Sequence, residues 1–170
     1  MKYTAAVITV SDMGSRGLRQ DTSGPAVRAM LEEAGFSVAH TAILPDEMEQ
    51  ISAELRDCAD RRRIDLIVTT GGTGLSPRDV TPEATMAVAG RNAPGIAEAI
   101  RAYSGTITPR AMLSRAASVI RGRTLIVNLP GSPKAVRESL DFVLPNLYHG
   151  LDVLKGEVTD CGSKVHHLHR

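Results

Sequence analysis

The chain has 170 residues, 42% of them hydrophobic, which is enough for one domain with a substantial core and too short for two comfortable ones. Twenty Lys and Arg stand against nineteen Asp and Glu, and the cations are scattered along the chain, which argues against nucleic acid as a partner. With only Cys58 and Cys161, no apolar run of membrane-spanning length and no cationic leader, the composition argues against a disulfide framework or a membrane partner and for a reducing, cytoplasmic setting.

Thr4 to Val10 (TAAVITV) is a β-branched run that predicts a first strand, closed by the polar stretch Ser11 to Gly17 as a loop. From Pro25 onward Val27, Met30, Leu31 and Ala34 fall at helical spacing, and Gly35 takes the place of a C′ glycine. Phe36 to Leu44 alternates as a second strand and closes at Pro45-Asp46; its His40 reads as a strand side chain rather than a ligand. Met48, Ile51, Leu55, Cys58 and Ala59 then make one apolar helical stripe, and the Arg61-Arg62-Arg63 run at its end reads as solvated cations complementing the helix dipole.

A third strand, Asp65 to Thr70, leads into a glycine loop and a helix from Pro82 to about Ala89, with Thr81 as its expected cap and Pro82 at the first helical position. Two further helices are expected at Pro94–Tyr103 and at Pro109–Ile120, the second stopped by Gly122. Thr124 to Val127 is a fourth strand. The long helix after it carries Val136, Leu140, Val143, Leu147, Leu151 and Leu154, with a kink expected at Pro145. Residues 1–156 read as a single domain, and residues 157–170, with His166, His167 and His169, as a polar tail.

Strands that are apolar throughout and alternate with helices predict an α/β fold with a mostly parallel central sheet covered on both faces. The loops leaving the carboxyl ends of such strands share one edge, where open α/β folds bind ligands. Four loops qualify: Ser11-Asp12, Pro45-Asp46, Thr70 to Asp79, and Asn128 to Pro133. Gly71, Gly72, Thr73 and Gly74 offer backbone donors suited to phosphate oxygens, and Asp12, Asp46 and Asp79 suit a hard cation such as Mg²⁺. The loop lacks the closing Lys-Ser or Lys-Thr of a Walker motif, and no G-x-G-x-x-G follows the first strand, so neither common nucleotide fold is indicated. Spacing leaves a structural alternative open for each aspartate: Asp46 as a helix cap with Glu49, Asp79 as the partner of Arg78 or of a neighbouring helix end, and Asp12 as an Asx-turn residue. Ser114 carries no chemical claim from its spacing.

The stretches T-V-S-D at 9–12, L-P-D-E at 44–47, T-G-G-T-G-L-S-P-R-D-V-T-P-E-A-T at 70–85, I-T-P-R-A-M-L-S-R at 107–115 and N-L-P-G-S-P at 128–133 together resemble the molybdopterin-binding family of bacterial MogA, MoaB and the gephyrin G domain. The resemblance spans Thr4 to Leu154 and is closest to MogA and the gephyrin domain. It implies a three-layer α/β/α MogA-like fold, a homotrimer, and molybdopterin adenylyltransferase activity in molybdenum cofactor biosynthesis. Such an enzyme transfers AMP from ATP to molybdopterin and releases pyrophosphate, with Mg²⁺ as cofactor and hand-over to a molybdate-inserting, MoeA-like protein. The family also implies an alternative, a non-catalytic carrier of the MoaB type.

By the same resemblance Asp46 and Asp79 are the catalytic, metal-holding aspartates. Ser11, Asp12, Gly71, Gly72, Thr73 and Gly74 fall in the nucleotide region. Ser114 and Asn128 fall on the pterin side, and Pro130, Gly131 and Ser132 complete the binding loops. Arg110 stands where some relatives carry an uncharged residue.

Overall fold

In the computed structural model, which describes residues 2–157, four parallel strands run side by side in the chain's single sheet. The first is β1 (Thr4–Val10). It is followed by one short helical turn, α1 (Asp12–Ser15), the helix α2 (Ser23–Glu33), the strand β2 (Ser37–Leu44) and the helix α3 (Met48–Arg56). A π-helical turn, Asp57–Arg61, extends α3, and β3 (Leu66–Thr70) and α4 (Thr81–Ala87) follow. After a two-residue strand β4 (Arg91–Asn92) come α5 (Pro94–Gly105), a 3₁₀ turn at Pro109–Leu113, β5 (Ser118–Arg121), β6 (Thr124–Leu129) and the long α6 (Pro133–Lys155).

The sheet order is β2-β1-β3-β6-β5-β4, with β5 and β4 antiparallel at one end. Strand alternation sorts the core into two layers. Ala5, Val7, Leu66, Val68, Leu125 and Val127 pack with Val27 and Leu31 of α2, Ile100 of α5 and Val136 and Leu140 of α6. Ala6, Ile8, Ile67 and Ile126 point the other way, onto Ile51 and Leu55 of α3 and Ala84 of α4. Both faces of β1, β3 and β6 are therefore dry, which is why their sequences read as unbroken apolar runs. The three-layer α/β/α architecture with a mostly parallel sheet is the one the sequence predicts.

Three local expectations are corrected. The helix expected over Pro109–Ile120 is one 3₁₀ turn followed by extended chain and β5. The cap is real, since Thr108 Oγ1 accepts from the Arg110 N–H, but the Ser118-Val119-Ile120 run pairs with β6 through the two-residue connection Gly122-Arg123. Glycine in the first position of such a hairpin, with a φ of 56° here, was the overlooked signal. Thr81 does not cap α4: the helix begins at Thr81, and its hydroxyl is spent elsewhere. The stretch after β1 is not all loop, because Ser11 caps α1 by accepting from the Gly14 N–H. α6 runs as one helix through Pro145. Cys161 and the three tail histidines lie outside the described residues.

Candidate functional site

The parallel register sets Val10 level with Leu44, Thr9 with Thr70 and Thr70 with Leu129, so the loops leaving β1, β2, β3 and β6 emerge along one edge. The loop after β3 turns sharply because Gly71 and Gly72 take φ values of 95° and 67°. A side chain at either position would collide with its surroundings: a Cβ on Gly71 would lie 2.3 Å from the Val10 carbonyl oxygen, and one on Gly72 would lie 2.3 Å from Thr81 Oγ1.

Four consecutive carbonyls of this loop are pulled into the protein. Gly71 O accepts from the Thr81 hydroxyl at 3.0 Å and Gly72 O from the Thr81 N–H at 3.1 Å. Thr73 O accepts from the Arg115 N–H at 2.8 Å, and Gly74 O from Arg115 Nε at 2.7 Å. A trans peptide holds its N–H opposite its C=O, and no peptide here is cis. The N–H groups of Gly72, Thr73, Gly74 and Leu75 are therefore turned away from these anchors, and among the described residues they donate to no protein acceptor. Consecutive free amides turned outward in this way form an anion cradle.

Three aspartates stand around the cradle. Asp12 and Asp46 exchange bonds across two loops, the Asp12 N–H donating to Asp46 Oδ2 at 2.9 Å and the Asp46 N–H donating to Asp12 Oδ1 at 3.0 Å. Arg78 clamps Asp12 through Nε at 3.0 Å and a terminal nitrogen at 2.9 Å, and reaches Glu47 at 2.8 Å. These bonds decide between the readings that spacing left open. Asp46 caps nothing, since α3 begins without a side-chain cap, and Arg78 pairs across the site with Asp12 rather than with its neighbour Asp79. Asp79 Oδ2 accepts from the Ser76 N–H at 3.0 Å and folds its own loop.

The carboxylates press against the glycine loop. A Cβ on Gly72 would lie 3.0 Å from Asp46 Oδ1, and one on Gly74 would lie 2.9 Å from Asp79 Oδ2. The Arg78 guanidinium holds the Asp12 carboxyl below the usual carboxylate range. Asp46 goes the other way: burial pushes its carboxyl up, and the charges of Asp12 and Asp79 add to the effect. A half-buried acid raised by desolvation and by like charges is a group whose charge a cation would relieve. Hard oxygen donors, few in number and beside an anion cradle, fit Mg²⁺, which takes one or two carboxylates and completes its shell with water and substrate phosphates. Asp46 and Asp79 are the residues that would hold it.

Two cavities flank the glycine loop. One, of about 420 Å³, is lined by Gly72, Thr73, Gly74, Asp79, Ser114, Pro130 and Gly131, and also by Arg101 and Arg110. The other, of about 480 Å³, is lined by Ser11, Gly71, Gly131 and Ser132, with Arg19 and Asp21 on its rim. Gly131 lines both cavities, and a Cβ on it would lie 3.3 Å from Gly71 Cα. Thr70 Oγ1 donates to Pro130 O at 2.7 Å and Ser23 Oγ donates to Gly131 O at 2.6 Å, fixing the second loop against the first.

Of the residues expected at the site, Asp12, Asp46 and Asn128 line neither cavity, and Asn128 is the one held away from the loop edge. It is fully buried, donates to Thr69 Oγ1 and Thr85 Oγ1 at 2.9 Å each and accepts from the Ala117 N–H at 3.0 Å, so its whole amide is engaged in tying β6 to β3, α4 and the chain before β5. Ser132 caps α6, its hydroxyl accepting from the Ala135 N–H. The sequence reading missed the anchoring role of Arg115, which also pairs with Glu83 and donates to Asp79 O at 2.6 Å. Arg115 lies at the end of the I-T-P-R-A-M-L-S-R stretch, but spacing says nothing of a reach across to residues 73–83.

Fold and site together define an open α/β ligand-binding protein with an anion cradle and paired aspartates at its carboxyl edge. The chain belongs to the molybdopterin-binding domain family, whose model, described as "Probable molybdopterin binding domain", matches residues 6–149. It is 45% identical over 139 residues to a molybdopterin adenylyltransferase of Haemophilus influenzae, covering 81% of this chain and 71% of that protein. It is 39% identical over 160 residues to one from Helicobacter pylori strain J99, covering 93% and 91%. Among solved structures it resembles the molybdopterin biosynthesis enzyme MoaB of Thermus thermophilus at 51% identity and a TM-score of 0.86, over 91% of this chain and 97% of that one.

Proposed function

We propose that this protein is a molybdopterin adenylyltransferase of molybdenum cofactor biosynthesis, transferring AMP from ATP to molybdopterin with release of pyrophosphate. The observation that carries the reading is the glycine loop, four carbonyls anchored inward and four amides left free, beside Asp46 and Asp79 in a chain related to proteins of that name.

In adenylyl transfer a phosphate oxygen of the acceptor attacks the α-phosphorus of ATP, the bond from that phosphorus to the bridging oxygen breaks, and pyrophosphate departs. An acceptor phosphate is already ionised at neutral pH, so no general base is required, and positioning and charge neutralisation dominate. The amides of residues 72–75 bind phosphate oxygens, and Arg115 and Thr81 hold those amides in place before substrate arrives. Asp46 and Asp79 would hold Mg²⁺, which when bound would neutralise the triphosphate charge. The two cavities, which share Gly131, offer room for two substrates on either side of one loop. Ser114 lines the first cavity together with Gly72, Thr73, Gly74 and Asp79, and Ser11, Gly71 and Ser132 line the second; family resemblance assigns Ser114 to the pterin side and Ser11 with the glycine loop to the nucleotide side. The reading brings with it a homotrimer, a cytoplasmic location and hand-over of the adenylylated pterin to a molybdate-inserting, MoeA-like protein. Among the described residues no helix is long and apolar enough to cross a membrane.

The test is pyrophosphate release from purified protein with ATP, Mg²⁺ and molybdopterin, repeated with Asp79→Asn. Turnover in the wild type and its loss in the folded variant support the assignment. Pterin binding without pyrophosphate release makes the protein a carrier instead.

A further inference from the structure

Apart from the glycine loop, the edge strand β2 and the helix α3 meet at three side chains. His40 lies four residues before the end of β2, roughly 13 Å along the strand from its last residue. Glu54 and Cys58 lie four residues apart and so share one helical face, with Cys58 in the π-helical turn. His40 Nε2 is 2.6 Å from Glu54 Oε1, and Cys58 Sγ is 3.8 Å from the same oxygen. The three donor atoms lie within 4.8 Å of one another, and among the described residues no other three donors from His, Cys, Asp or Glu gather so closely.

We propose that His40, Glu54 and Cys58 form a Zn²⁺ site that ties the edge strand β2 to α3. A nitrogen, a carboxylate oxygen and a sulfur are the ligand types of a borderline-soft ion, and three protein ligands leave a fourth tetrahedral position for water. The i,i+4 pair on a helix joined by one residue of a neighbouring strand gives convergent ligands on two rigid elements. At ordinary zinc bond lengths the His40–Glu54 contact must open by roughly 0.7 Å to admit the ion. A hydrogen bond accounts for His40 with Glu54, and core packing accounts for Cys58; neither requires the thiol and the imidazole to converge on one carboxylate oxygen.

The charges balance. Zn²⁺ with one carboxylate and one thiolate is neutral, which suits a place where Cys58 is fully buried and the His40 and Glu54 side chains are 18% and 23% exposed. Without the ion, burial pushes the Cys58 thiol up to about 12, so it remains protonated. On binding, the thiol proton leaves for solvent, and the His40 proton shared with Glu54 through Nε2 gives way to the Nδ1–H tautomer, which frees the Nε2 lone pair with no further net proton release. Affinity therefore climbs with pH, by about tenfold per unit for one released proton. Asp46 and Glu47 connect β2 to α3, so the ion would brace the unit that carries Asp46.

The experiment uses the full-length chain with Cys161→Ser and with His166, His167 and His169→Ala, which removes competing tail ligands. Co²⁺ is titrated as a spectroscopic probe and then displaced with Zn²⁺. With excess Mg²⁺ present to fill the Asp46 and Asp79 site, the expected result is one thiolate-bound ion per chain, a thiolate-to-cobalt absorption band, one proton released, and a higher unfolding temperature with Zn²⁺. Cys58→Ser should abolish the band, and His40→Gln should weaken binding by about tenfold or more. No thiolate band, or affinity undiminished by either substitution, overturns the site. If Cys58→Ser does not fold, His40→Gln decides alone: undiminished affinity overturns the proposal and weakened affinity upholds it.

Discussion

Asp12 and Asp46 hold each other by reciprocal bonds, each backbone N–H donating to the other's carboxylate at 2.9 and 3.0 Å. The pair locks the loop after β1 to the loop after β2, and it also brings two like charges together. Arg78 neutralises Asp12, but burial and the neighbouring carboxylates leave Asp46 with a raised pKa.

An acid whose folded pKa is raised binds more protons folded than unfolded, so its ionisation at neutral pH works against folding. Asn at position 46 keeps an oxygen to accept from the Asp12 N–H and removes the charge. Asp46→Asn should therefore raise the unfolding temperature of the ligand-free protein at pH 7. The gain should shrink as pH falls through the raised Asp46 pKa and vanish below the ordinary aspartate value, where wild-type Asp46 is itself neutral. The same variant should lose about 100-fold or more in adenylyl transfer. Thermal melts across pH, beside a pyrophosphate assay, check both; a variant less stable than wild type at pH 7 contradicts the charge assignment.

Arg115→Ala leaves the carbonyls of Gly74 and Asp79 without their guanidinium donors and Glu83 without its partner. We expect a stability cost of about 1–3 kcal/mol. If the loop amides bind ATP phosphates, the KM for Mg·ATP should rise by about tenfold, a loss of ~1.4 kcal/mol of binding, with the KM for molybdopterin changed less. Arg115→Lys, keeping the charge but not the fork, should recover only part of the loss. Initial rates of pyrophosphate release separate the two KM values, and an equal rise in both would remove Arg115 from a specific phosphate-positioning role.

Gly71→Ala and Gly72→Ala test the cradle's backbone. Both sites have positive φ, but the Cβ at 71 meets a backbone carbonyl of β1, whereas the one at 72 meets a hydroxyl that can turn away. Strain and overpacking together should cost about 2–5 kcal/mol at Gly71 and less at Gly72. Urea unfolding gives the order, and a milder effect at 71 than at 72 contradicts it.

Asn128→Ala should act on stability and spare substrate binding. Losing three buried hydrogen bonds and leaving the Ala117 N–H unpaired should cost about 2–4 kcal/mol. The KM values of the folded fraction should stay close to those of wild type. An intact midpoint in urea with a raised KM for molybdopterin would instead place Asn128 in contact with substrate.

The sequence by itself determined the layers and the edge. Both-sided burial leaves unbroken β-branched runs at β1, β3 and β6, and the 3.6-residue stripe marks α3, so a mostly parallel sheet and the alignment of four loops at its carboxyl ends follow from periodicity alone. Glycines at 71, 72 and 74 announced the turn because the first two take positive φ, which glycine adopts without strain, and a Cβ at any of the three would crowd its neighbours. Only tertiary structure decided what the side chains do across that edge. Whether Asp46 caps a helix or meets Asp12, whether Arg78 serves its neighbour or the opposite loop, and whether Arg115 reaches back to residues 73–83 depend on distances between segments far apart in the chain. The strand β5 was lost for the same reason: Ser118 to Arg121 is short, and its state is set by pairing with β6 rather than by its own propensity. Local preferences act within a few residues, whereas a site is assembled by contacts that the folded sheet alone supplies.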